Sequence, residues 1–133
     1  MTKKSKKILC EISGGELLDK ISILEIKLEK VTDKNSQEEI KKEYKVLKDI
    51  QNSSIKLTNE LTDLFKLIKE VNLNLWEVED KLRIAERKKK FGKNFIMLAR
   101  AVYFNNDKRS KIKSEMNKIL GSNIKEVKQY VKY

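Results

Sequence analysis

Between residues 57 and 85 apolar side chains recur in alternating steps of four and three: Leu57, Leu61, Leu64, Ile68, Val71, Leu75, Val78, Leu82 and Ala85. No glycine or proline interrupts the chain from Ser53 to Lys90. A seam this regular is a heptad repeat, and it forces one long helix with a single apolar edge. The spacing predicts a helix that begins near Ser53 or Ser54 and runs to about Lys90, roughly 50 Å at 1.5 Å per residue. Such an edge must be covered, so the chain has to be an antiparallel bundle built on a long central helical hairpin. The whole sequence contains no proline and only four glycines, with 38% charged and 39% apolar residues, the usage of a folded helix-rich chain and not of a disordered tail. The expected class is all-α, in one domain spanning residues 1–133, with residues 1–7 as a flexible basic tail.

The remaining segments supply the partners. Ser13 and Glu16 stand at capping-box spacing, which starts a first helix at about Gly14. Leu17, Ile21, Leu24, Leu28 and Val31 form its stripe, and Leu18, Ile23 and Ile26 widen it, so this helix expects neighbours on most sides. Ser36 and Glu39 form a second capping box, for a thin-faced helix carrying Ile40, Tyr44, Leu47 and Ile50 to a break at QNSS, residues 51–54. Gly92 stops the long helix, and a fourth begins near Lys93 with Phe95, Leu98, Ala99 and Val102 on one face. YFNNDKRS, residues 103–110, is expected to kink the chain and restart it at Asn105 or Asn106. A fifth helix then carries Ile112, Met116, Ile119 and Leu120 to Gly121. Residues 7–12 (KILCEI) and 124–133 (IKEVKQYVKY) alternate apolar and polar, which fits a short strand or an extended tail at each end, a two-stranded ribbon between them being marginal on its own.

Several function classes drop out. One cysteine, Cys10, and no histidine exclude disulfide frameworks and Cys/His zinc sites. Only three apolar residues follow the basic start before Glu11, too few for a signal peptide, and no run approaches the roughly 20 residues of a membrane span, so a cytoplasmic protein is expected. There is no Walker or GxSxG motif, and no cofactor is expected. Glu77 and Asp80 have the ExxD spacing that holds magnesium in helical nucleotide pyrophosphohydrolases. The matching EExxE element is missed by one residue at Glu38, Glu39 and Glu43, so no metal is expected. Gly14 and Gly15 before a helix offer a perch for an anion.

The net charge of +11 reads first as a lysine-rich solvated surface, because the basic residues spread over every segment. Of 31 basic residues only four are arginine, at 83, 87, 100 and 109. Arginine grips a carboxylate or phosphate with a planar fork that lysine lacks, so specific contacts are expected from Arg83, Arg100 and Arg109. Trp76, Glu79 and Arg83 follow one another along the flank of the long seam, and Arg100 and Tyr103 flank the fourth helix. Glu25 lies beside the seam of the first helix, while Asp19 and Lys27 are expected to point elsewhere. These edges predict a partly desolvated polar layer in which Arg83 or Arg100 meets Glu25. The plainer alternatives are Trp76 as core and Glu79 with Arg83 as a surface ion pair.

SGGELLDKISILEIKLEKVTD, LWEVEDKLR, FIMLARAVYFNNDKRSKIKSEMNKILGS and the terminal NIKEVKQY together resemble a bacterial domain family of unknown function. Its members share an ELLDK-[ST]-ILEIK opening, an LW-xx-ED-xx-R centre and an LAR-xVY-xx-ND-xR close. The resemblance covers most of the chain, least in residues 33–70. The positions matching the polar signature are Glu16, Asp19, Lys20, Glu25, Lys27, Trp76, Glu79, Asp80, Arg83, Arg100, Tyr103, Asn106, Asp107 and Arg109. What the resemblance implies of context is a neighbourhood of glycosyltransferases and other surface-polysaccharide proteins. Three readings follow. The first is a non-enzymatic interaction module that docks on a protein partner or self-associates through the long helix. The second is a site for a small anionic ligand, a phosphorylated sugar or nucleotide, in the Glu/Arg/Tyr layer. The third, disfavoured by the few aromatics among the lysines, is non-specific nucleic-acid binding.

Overall fold

The structure, a computed structural model, describes residues 6–133. The expected basic tail therefore lies outside the described residues over positions 1–5, and Lys6 and Lys7 are exposed. Four helices make up the fold: α1 (Gly14–Lys30), α2 (Lys34–Ser54), α3 (Asn59–Arg87) and α4 (Lys93–Leu120). The protein is an all-α bundle, with no strand among the described residues. None of these helices is long and apolar enough to cross a membrane.

Capping chemistry explains the boundaries, and in three places corrects them. Ser13 caps α1 by accepting the Glu16 N–H at 3.1 Å, but the capping box is only half formed, because the Glu16 carboxylate goes to Lys113 instead. Asp33, not Ser36, caps α2: its carboxylate accepts the Ser36 N–H at 2.9 Å, and an ionised oxygen is the stronger acceptor. QNSS does not break the chain. Gln51 is buried and α2 continues through Ser54, so the long helix begins only at Asn59, behind a Thr58 hydroxyl that accepts from Leu61. Leu57 therefore falls outside the seam and is 45% exposed.

The restart expected in YFNNDKRS is absent. α4 runs unbroken for 28 residues, and Asn105 donates its side-chain amide to the Ala101 carbonyl one turn back instead of capping a new helix. Gly121 ends α4 in the left-handed conformation at φ 61°. The terminal segments, expected as short strands or extended tails, are extended tails and form no ribbon among the described residues. They meet side by side where Asn123 donates to Glu11 at 3.1 Å, and Ile8, Val127 and Val131 stay exposed.

α1 is the hub, in close approach with all three other helices, whereas α2 approaches only α1. The core is correspondingly compact: Leu18 of α1, Leu61, Leu64 and Ile68 of α3, and Met116 of α4 form one buried cluster. α1 comes unusually near α4. A Cβ on Gly15 would lie 2.6 Å from the Lys113 carbonyl oxygen, and the Gly15 N–H already donates to Asn117 Oδ1 at 2.7 Å. The Gly14 N–H likewise donates to Ser122 Oγ at 2.9 Å. The expected anion perch is thus filled by α4 and the chain just after it.

α3 and α4, joined by residues 88–92, pack more extensively than any other pair. Only one end of that hairpin is covered. From Leu73 around the loop to Ile112 no residue is buried, and Leu75, Val78, Leu82 and Ala85 of α3 meet Phe95, Leu98, Ala99 and Val102 of α4 in a seam that is everywhere half-buried. The hairpin leaves its base as a two-helix arm.

Helix propensity alone would make Gly15→Ala stabilising by up to about 1 kcal/mol. The close approach predicts the opposite sign, a loss of about 1–3 kcal/mol from overpacking, measured by urea denaturation followed by circular dichroism.

Candidate functional site

The only fully buried carboxylate among the described residues is one that spacing alone aimed elsewhere. Asp19 is 0% exposed. Helical spacing from Leu18 and Ser22 turns it toward α3 and α4, where Arg109 meets it with both prongs, Nε to Oδ1 at 2.9 Å and Nη2 to Oδ2 at 2.5 Å. Asn72 of α3 donates to Asp19 Oδ1 and to Ser22 Oγ, each at 2.8 Å, and the Ser22 hydroxyl donates to the Asp19 carbonyl at 2.7 Å. Each of α1, α3 and α4 contributes to this network, and no buried side-chain polar atom among the described residues lacks a partner. The Asp19 hydrogen bonds hold the Arg109 guanidinium above its ordinary value.

One turn further along α4, Lys113 ties the first turn of α1 to the segment that follows α4. Its ammonium donates to Glu16 at 2.7 Å and to Glu126 at 2.8 Å, with Asp19 at 3.9 Å. Burial pushes the lysine down, but the bonds to Glu126 and Glu16 outweigh it and hold the ammonium above its ordinary value. Lys113 in turn holds Glu126 below its ordinary 4.5. The last residue returns to α4, where the Tyr133 hydroxyl donates to Asp107 and its ring packs edge-on to Tyr103 and Phe104.

The pairing expected for Glu25 is wrong in its partner. Glu25 is half-buried and partnered, but by Lys69 of α3 at 3.0 Å and the Tyr44 hydroxyl of α2 at 3.2 Å. Neither arginine can reach it. Arg83 lies further out on α3, and Arg100 is exposed on α4 with its guanidinium 5.6 Å from the Phe104 ring. Glu25 holds the Lys69 ammonium above its ordinary value, and burial followed by the same carboxylate raises Tyr44.

The structure does bring Trp76, Glu79, Asp80, Arg83 and Arg109 together. They line an open groove of about 360 Å³ where α1 meets the base of the arm, with Ile23, Ile26, Leu75 and Asn72. Trp76 is half-buried against this floor, and Glu79, Asp80 and Arg83 are exposed on its rim. Glu79 and Arg83 stand one turn apart yet form no ion pair, and neither they nor Asp80 makes a side-chain hydrogen bond among the described residues. Lys20, Lys27, Glu25, Arg100, Tyr103 and Asn106 lie outside the groove, and Glu16 belongs to the Lys113 cluster. A second, larger depression of about 700 Å³ joins Lys108, Lys111 and Lys128 to Phe104, Tyr130 and Tyr133.

Asn72, Ser22, Lys69 and Lys113 were missed by sequence reasoning. The signal for Asn72 was present, since it lies four residues after Ile68 and three before Leu75, on the buried side of the seam. Lys113 likewise sits three residues before Met116.

Asp19→Ala leaves the half-buried Arg109 unpaired, and a loss of about 3–5 kcal/mol is expected in chemical denaturation. Glu25→Gln, on a partly solvated pair, should cost below about 1 kcal/mol in the same assay. Because Glu126 is held below 4.5, its contribution is complete above that pH and disappears as pH falls through the lowered value. The stability difference between the wild type and Glu126→Gln should therefore shrink toward zero on acidification from neutral pH.

No curated protein and no solved structure matches the chain. One family model does, over residues 8–132, and so the chain belongs to a family of unknown function, DUF6165.

Proposed function

We propose that this protein is a non-enzymatic helical interaction module whose recognition surface is the α3–α4 arm. The observation that carries the reading is the uncovered arm itself. Between Leu73 and Ile112 two helices present a half-buried seam and leave Ile84, Ile96, Met97 and Tyr103 at least 41% exposed. Two helices alone cannot bury both sides of a shared stripe, whereas a third or fourth helix from a partner completes the bundle. Isolated exposed leucines are ordinary, but a row of large apolar residues along one projecting element marks a contact surface. The polar network beneath Asp19 supports the same reading, since every group in it is already satisfied by another and none is left to act on a substrate.

The anionic-ligand reading is weaker on electrostatics. The groove rim offers Arg83, but also Glu79 and Asp80, while the Arg109 guanidinium is engaged by Asp19. Nucleic-acid binding gains one specific observation, the depression in which lysines 108, 111 and 128 surround Phe104, Tyr130 and Tyr133. The context of glycosyltransferases and surface-polysaccharide proteins makes such proteins the first partners to test.

A photo-crosslinking side chain placed at Ile84, Ile96 or Met97 in the full chain should give discrete protein adducts in cells. The same probe at Val46 of α2, 55% exposed, should not. Adducts from Val46 alone, or from none of the four positions, would overturn the reading.

A further inference from the structure

We infer that the arm's partner is a second copy of this chain, paired antiparallel about a two-fold axis, so that the tip of each arm seats in the other's groove. The inference rests on the interaction-module reading and names the occupant of that surface.

Charge and shape separate the two ends of the arm. At the tip, Phe91 is 49% exposed, braced edge-on by Phe95 at 5.2 Å. Arg87, Lys88, Lys89, Lys90 and Lys93 surround it, and of these only Lys89 has a carboxylate partner, Glu86 at 3.0 Å. At the base, the groove offers a partial complement: an apolar floor containing Ile23, Ile26 and Trp76, and a rim where the unpaired carboxylates Glu79 and Asp80 outnumber the one free guanidinium, Arg83, the other lining arginine, Arg109, being taken by Asp19. An aromatic knob ringed by cations thus matches an aromatic and aliphatic hollow whose rim carries a net negative charge.

A single chain cannot join the two. From Trp76 to Arg87 the helix rises about 17 Å, so each tip stands well away from its own groove. The contact must come from another molecule, and the charges choose its direction. Parallel arms would place two clusters of five basic residues side by side, whereas antiparallel arms set each cluster against the other's carboxylates. A two-fold axis crossing between Arg83 and Ile84 also makes the contacts reciprocal, as closed symmetry requires, setting Phe91 opposite Trp76, Lys88 opposite Glu79 and Arg87 opposite Asp80 of the other chain. The same arrangement covers Ile96, 55% exposed, and closes the two arms into a four-helix bundle.

The test is light scattering and sedimentation equilibrium of the full chain, with charge reversal at each end. The wild type should dimerise in a concentration-dependent way and lose at least tenfold in affinity between about 0.1 M and about 1 M salt. Glu79→Lys with Asp80→Lys should be monomeric with unchanged helical circular dichroism, as should Lys88→Glu with Lys90→Glu. An equimolar mixture of the two double variants should recover a one-to-one dimer, because one tip-to-groove contact then keeps its wild-type charges and the other is restored with its signs exchanged. A wild type that stays monomeric, a dimer indifferent to either reversal, or a mixture that stays monomeric overturns the proposal. If the chain is monomeric while the arm probes crosslink to a different protein, self-pairing fails and the interaction-module reading stands. If they crosslink to nothing, both fail.

Discussion

A carboxylate removed entirely from water governs the bundle. Asp19 stays folded inside only because Arg109 grips both oxygens and Asn72 supplies a further donor. An isolated buried charge costs several kcal/mol, so a slip of any one of α1, α3 or α4 against the others is heavily penalised. Apolar contacts among Leu18, Leu64, Ile68 and Met116 drive association, but they tolerate small shifts; the bidentate bridge does not. The two glycines at the start of α1 serve the same end, since only without a Cβ at Gly15 can the α1 backbone lie close enough to α4 for Asn117 to accept from it.

With three helices locked at one end, the other end of α3 and α4 has nothing to pack against. α1 is only 17 residues long and α3 and α4 are 29 and 28, so the hairpin outruns its cover. The groove beside Trp76 lies at this transition, where the buried network gives way to the exposed arm. Asn72 and Arg109 belong to both, lining the groove while holding Asp19. Any occupant of the groove therefore rests against the most rigidly determined part of the fold, and a surface that is pre-organised loses less entropy on binding.

Much of the fold was legible because it depends on local periodicity. The beginning of α1 followed from Ser13, the end of α4 from Gly121, and the α3 seam from its heptads. The failures came where local signals compete. Asn105 and Asn106 can cap a helix or sit within one, and the apolar residues on either side, Val102 and Ile112, belong to one continuous face against α3, which decides for continuity. Ser36 could cap a helix that starts one turn later, but Asp33 caps first, its ionised oxygen accepting the N–H of Ser36 itself and leaving Ser36 inside the first turn. The terminal alternation does suit strands, yet with nothing on either side a two-stranded ribbon is marginal, and the tail lies along α4 through Lys113 and Tyr133 instead.

The candidate site divides in the same way. That Trp76, Glu79, Asp80 and Arg83 share a helix face, and that arginines in a lysine-rich chain make particular contacts, are properties of spacing and side-chain chemistry, readable from the sequence. Which carboxylate meets which cation is not, because i,i+4 geometry relates residues on one helix only and says nothing of how far a second helix is rotated or shifted. Glu25 was correctly placed on a rim and wrongly partnered for this reason: the crossing of α1 over α3 brings Lys69 beneath it and carries Asp19, not Glu25, to the arginine. Periodicity settled the helices and their apolar edges; the angle and offset between helices, set by side chains far apart in the chain, settled the polar centre and left the arm uncovered.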